Sequence, residues 1–138
     1  MIRYGKTNLV AGLAAIFLAA MGGFALGATF DANSVKNGEH VLSIVRFYLR
    51  EGHSHGMPIA MYNMLVGLWI DKVVLSDRAK SIASWAAVAG LLLPVGLAAK
   101  GAAGAPANFP PVGLPGILGM FISILLLLIG AIRMKKTA

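Results

Sequence analysis

Four long apolar runs joined by short polar connections dominate this chain, and they fix its solvent before anything else. A bilayer core of roughly 30 Å is crossed by about 20 mainly apolar residues in helical form, and only helices or closed barrels satisfy their backbone groups there. The runs are "NLVAGLAAIFLAAMGGFALGATF" (8–30), a stretch from about residue 56 to 70, "SIASWAAVAGLLLPVGLAA" (81–99) and "VGLPGILGMFISILLLLIGAI" (112–132). The sequence therefore predicts an all-α integral membrane protein, a four-transmembrane-helix bundle in which residues 1–138 form a single domain. Charged residues are 12% of the chain, against about a quarter in a soluble domain, so no length is left for a separate soluble domain.

The first run follows Arg3 and Lys6 and ends in small residues, as a secretory signal also does; it is read as a retained span. The third is expected to kink at Pro94. Ahead of the second span, "HVLSIVRFYLREGH" puts Val41, Ile44, Val45, Tyr48 and Leu49 on one helical face and Ser43, Arg46 and Arg50 on the other. That pattern predicts a short interfacial helix lying among the headgroups before the second span. The connection "DANSVKNGEH" carries a turn-like Asn37–Gly38 pair, and "KGAAGAPANFPP" reads as an irregular loop.

Eight of the twelve Lys and Arg residues fall on the side of the two termini, among them Arg3, Lys6, Lys72, Arg78 and Lys80. By the positive-inside rule both termini face the cytoplasm, and the expected location is a bacterial inner membrane. The formal charge of +7 is accounted for by anchoring to an anionic lipid bilayer and requires no nucleic acid. Cysteine is absent, which excludes disulfides, iron–sulfur clusters and thiolate metal sites.

The stretch "REGHSHGMPIAMYNMLVGLWI" (50–70) carries the chemistry. Residues three and four apart share a helical face, so His53 heads a stripe of Met57, Ala60, Met64 and Gly67, and His55 heads a neighbouring one with Ile59, Tyr62, Val66 and Trp69. A neutral imidazole at the membrane edge is a heme ligand in waiting. The porphyrin would lie along the Met57, Ala60, Met64 and Gly67 surface, with its propionates reaching water or Arg46 and Arg50. Copper is the alternative, through His53, His55 and thioethers of Met57, Met61 and Met64. In a helix, however, the two imidazoles point about 200° apart, so a shared copper needs "HSHG" unwound. Set against both is the plain reading, in which the histidines are interfacial polar groups, the methionines pack, and Asn63 hydrogen-bonds to another helix because a buried amide in lipid needs a partner.

In pattern and spacing, "GHSHGMPIAMYNMLVGLWIDKVVLSDRAKSIASWAAVAG" resembles the core of the small four-helix membrane isomerases typified by styrene oxide isomerase and hydroxylaminobenzene mutase. There an early histidine opens the second span, a glycine-bearing apolar helix follows, and a short connection leads to an aromatic-containing third span. The resemblance covers the middle third of the chain in detail. It implies a trimer, heme b held near subunit interfaces, and a ferric iron acting as Lewis acid on a small lipophilic substrate of epoxide or hydroxylamine type. The axial ligand it implies is His53, with His55 as alternative.

The chain departs from that pattern at Ile59, where the epoxide isomerases carry asparagine, and in a third span offering only Ser81, Ser84 and Trp85. Tyr62 and Asn63 are then the residues expected to orient a substrate. Two further readings remain open. One is a heme or copper electron-transfer subunit of a larger membrane complex. The other is a cofactor-free structural subunit, with Gly22, Gly23, Gly27, Gly116 and Gly119 serving packing or oligomerisation.

Overall fold

The computed structural model describes residues 3–30 and 43–134 and, between them, the backbone of 35–36 and 39–40. Among the described residues five helices carry the fold: α1 (Lys6–Ala28), α2 (Ile44–Trp69), α3 (Asp77–Ala89), α4 (Leu92–Ala102) and α5 (Gly113–Ile132). A two-residue antiparallel ladder pairs β1 (Val35–Lys36) with β2 (Glu39–His40), Val35 opposite His40. The Asn37–Gly38 pair lies outside the described residues. Among the described residues three helical stretches are long and apolar enough to cross a membrane: α1, α5, and α3 with α4 taken together as Asp77–Ala102.

The expected interfacial helix and second span are one continuous helix. α2 runs unbroken for 26 residues, about 39 Å at 1.5 Å per residue, through both "HSHG" and Pro58. Ser43 starts it, its hydroxyl accepting from the Arg46 amide at 3.2 Å, which is the usual N-cap device. Of the charged residues that argue against a span here, Arg46 is buried, as are Gly52, Gly56, Ala60, Asn63 and Gly67 of α2, whereas Arg50 is exposed. Burial by neighbouring helices, rather than apolarity, accommodates Arg46.

α1 lies antiparallel along α2, and glycine sets the spacing. A Cβ on Gly12 would stand 2.8 Å from the Ala60 carbonyl oxygen and 2.7 Å from the Met64 side chain, and one on Gly67 would stand 2.6 Å from Leu9. On the other flank, a Cβ on Gly52 would meet Ala98 of α4 at 2.8 Å, and one on Gly101 would meet Leu49 at 2.8 Å. α5 closes on α3 and α4 in the same manner through Gly116 and Gly119, opposite Leu93 and Ala86. Those two glycines therefore serve packing within the chain, whereas Cβ atoms on Gly22 and Gly27 would meet nothing within 4 Å.

The break in the third apolar run falls at Gly90–Leu91, not at Pro94. Pro94 sits in the first turn of α4 and is buried, where a missing N–H costs no helical bond. The turn forms where Gly90 lets Met120 approach so closely that a Cβ would lie 2.6 Å from its sulfur.

A buried polar cluster knits α1, α2 and α3. The Asn8 amide donates to Asn63 Oδ1 and to the Ser84 carbonyl, both at 3.0 Å. Asn63 in turn donates to the carbonyls of Ile59 at 3.1 Å and Ala87 at 2.9 Å, and the Ser84 hydroxyl donates to the Tyr4 carbonyl at 3.1 Å and to Asn8 Oδ1. Asp71, just past α2, caps the start of α1 from outside, accepting from the amides of Arg3 at 2.8 Å and Tyr4 at 3.2 Å. Burial alone would raise its pKa, but those amides, that of Gly5 and nearby Lys80 outweigh it and hold the carboxyl below its ordinary value.

Candidate functional site

α1 and α4 flank the first half of α2 and leave a cavity of about 680 Å³ between them, within the few-hundred to about 1,000 Å³ range of small-molecule sites. Its floor is Gly52 and Gly56 of α2. One wall is the small-residue face of α1, including Ala15, Ala19 and Gly22, and the other is Pro94, Val95 and Ala98 of α4. At Gly56 the walls converge, for a Cβ there would meet Ala19 at 3.3 Å and Pro94 at 3.6 Å. Small residues on three helices thus create the space, and among the cavity's polar side chains are His53 and Arg46.

His53 is held from α1. Its Nδ1 lies 2.7 Å from the Ala19 carbonyl oxygen, which only accepts, so Nδ1 carries a hydrogen; in a neutral ring the lone pair is then on Nε2. The ring rests on Gly23, whose Cβ would fall 2.9 Å from Nε2. A histidine whose other ring nitrogen donates to a backbone carbonyl is oriented as metal-bound histidines ordinarily are. Among the described residues, His53 is the one imidazole on the cavity surface, and the lining holds no Met, Tyr, Cys or carboxylate.

Arg46 stands at the other polar position, 8% exposed. Its guanidinium donates to the Thr29 hydroxyl at 3.2 Å and to the Leu26 carbonyl, and lies 5.6 Å from the centre of the Phe30 ring. It thereby binds the C-terminal end of α1.

The other residues singled out from the sequence lie elsewhere. Met57, Ala60, Met64 and Gly67 do not line the cavity; the surface proposed for a porphyrin is covered by Gly5, Leu9 and Gly12 of α1. The free surface includes Gly56 and otherwise runs the opposite way along α2 from His53, through Gly52, Leu49 and Arg46. Asn63 is wholly buried and fully bonded in the three-helix cluster. Tyr62 shares a 2.8 Å hydrogen bond with Ser123 of α5. Neither touches the cavity. Arg50 is exposed beside Glu51. The imidazole of His55 turns back on its own helix, with Nδ1 2.9 Å from the Glu51 carbonyl and 3.4 Å from its carboxylate.

Because residues 53–56 stay helical, His53 and His55 remain on different faces, and the unwinding that a shared copper needed is not present. Among the described residues no group of three or more His, Cys, Asp or Glu side chains converges on a common point. His40 belongs to β2, of which only the backbone is described. Sequence reasoning missed Asn8 and Ser123, and named Ser84 only as a polar residue of the third span, although each is a polar residue at or within an apolar run, and that was the available signal. Comparison with models of protein families, with curated proteins and with solved structures found no match to this chain.

Proposed function

We propose that this chain is a membrane-embedded heme b-binding protein in which α2 is a fourth span and His53 is the axial ligand, held in the cavity between α1, α2 and α4. The observation that carries the reading is the 2.7 Å bond from His53 Nδ1 to the Ala19 carbonyl, which fixes the ring of a residue lining a cavity of suitable size and, in the neutral imidazole, leaves Nε2 as the ligating nitrogen. The residues present fit the group. Small side chains from three helices leave room for a flat ring system, Gly23 gives the imidazole its seat, and Arg46 offers a cation to a propionate.

Among the described residues the cavity contributes a single candidate ligand, and that favours an iron that would be held by His53 alone over the two-ligand iron of an electron carrier. Such a ferric iron supplies Lewis acidity toward an oxygen-bearing ligand. This supports an isomerase-type activity on a small lipophilic molecule, with residues of this chain holding the histidine tautomer and excluding water. Tyr62 and Asn63 are not assigned catalytic roles, since both are committed to interhelical bonds. A trimer, as the sequence resemblance implies, remains part of the proposal.

The test is the visible spectrum of detergent-purified protein after heme supplementation. A Soret band is expected that is lost in His53→Ala and kept in His55→Ala. A colourless protein that binds no heme would end this reading, and loss only in His55→Ala would move the ligand.

A further inference from the structure

Arg46 raises a question that the iron does not answer. It is 8% exposed, and a buried guanidinium without an opposite charge is strongly unfavourable. None of the ion pairs among the described residues includes it. Glu51, the acidic residue nearest in α2, is engaged by Arg50 and His55 instead. The acceptors Arg46 does have, the Thr29 hydroxyl and Leu26 carbonyl, are neutral. The end of the α1 dipole offsets roughly half a unit charge, which leaves the remainder uncompensated, and a guanidinium has more N–H donors than these two bonds use.

Arg46 also lines the cavity, as do the hydroxyl-bearing residues Ser43 and Thr29, while the rest of the lining is overwhelmingly apolar. A cation at one end of an apolar cavity of about 680 Å³ fits one kind of molecule. We infer that this cavity selects an amphiphile bearing a carboxylate, with Arg46 as its counter-ion and the walls of α1 and α4 taking its apolar body. The inference rests on the cavity of the proposed function but not on iron: a heme propionate satisfies it, and so does the carboxylate of a single-chain acid drawn from the bilayer. A planar guanidinium meets a carboxylate with two parallel hydrogen bonds, and the volume suits a drug-sized molecule rather than a two-chain phospholipid.

The experiment compares acids with their esters on the full-length protein in neutral detergent. A fluorescent polyene fatty acid is titrated against its methyl ester, and heme b against its dimethyl ester. A charge-assisted pair predicts that the acid binds roughly tenfold or more tightly than the ester, in at least one of the two series. Arg46→Gln is expected to erase that difference and Arg46→Lys to keep part of it, with circular dichroism reporting whether each variant remains helical. Since Arg46 also holds the end of α1, the wild-type comparison carries the test if the variants do not fold.

Equal binding of acid and ester in both series would overturn the inference, as would the absence of saturable binding by any acid. Binding of a single-chain lysophosphatidic acid as tight as that of the fatty acid would assign the subsite to a phosphate and overturn the carboxylate. Failure of the heme reading looks different: no Soret change with heme, while the fatty acid still outbinds its ester.

Discussion

Gly23→Ala reaches the proposed ligand without touching it. The added Cβ would lie 2.9 Å from His53 Nε2 and still nearer to the carbon between the ring nitrogens. Ordinary contact begins near 3.5 Å, so the ring must retreat by about 0.6 Å or more. The bond from Nδ1 to the Ala19 carbonyl starts at 2.7 Å and would stretch beyond about 3.2 Å, the limit of a good N–H···O bond. Its loss costs about 1 kcal/mol, and the alanine's better helix propensity returns up to about 1 kcal/mol. The net stability change is therefore small, and the histidine tautomer and ligand affinity report the event. In ¹⁵N-histidine spectra of wild type, His53 is expected to be protonated at Nδ1 with Nε2 free; in Gly23→Ala that state should mix with the other tautomer. Heme affinity should fall about 10–100-fold, as for other losses of a bond that orients a metal ligand. Gly27→Ala, whose Cβ would meet nothing within 4 Å, should leave both readouts unchanged. An unaltered His53 tautomer in Gly23→Ala would refute the reasoning.

Other consequences follow from the buried polar cluster and the cap on α1. Asn63→Ala removes bonds to Asn8, Ile59 and Ala87 and should cost about 1–3 kcal/mol in a reversible detergent unfolding assay. Combined with Asn8→Ala, the loss should be less than additive, because the two share one network. Asp71 has a folded-state pKa below its ordinary 3.8, so its stabilising effect is complete above that value and fades as pH falls through the lower, folded-state one. Unfolding followed from pH 6 downward should therefore show acid destabilisation that Asp71→Asn diminishes. Gly119→Leu, placed against the Ala86 carbonyl, should separate α5 from α3 and lower the unfolding temperature, while Gly22→Ala should not.

Much of the fold was legible because the apolar runs are long and their polar boundaries sharp. The first and fourth match α1 and α5 to within a few residues. The third was placed correctly, but its break follows from Gly90 meeting Met120, a contact between residues 30 apart that local proline chemistry does not anticipate. α2 was divided because Arg46, Arg50 and Glu51 make its first half too polar for a lipid-facing helix; the covering by α1 and α4 that tolerates Arg46 is tertiary. His53 stood out from residue type and position alone. Its seat on Gly23, its bond to Ala19 and the direction of the open surface all depend on the α1–α2 register, which no spacing within α2 encodes. The stripe of Ala60, Met64 and Gly67, read from the sequence as a porphyrin surface, is where α1 packs.

The most direct measurement is an equilibrium titration of heme b into detergent-purified wild-type, His53→Ala and His55→Ala proteins, followed by the Soret band. The account predicts saturable one-to-one binding that is abolished in His53→Ala and retained in His55→Ala. Binding of equal strength in His53→Ala and wild type, or none in wild type, would contradict it.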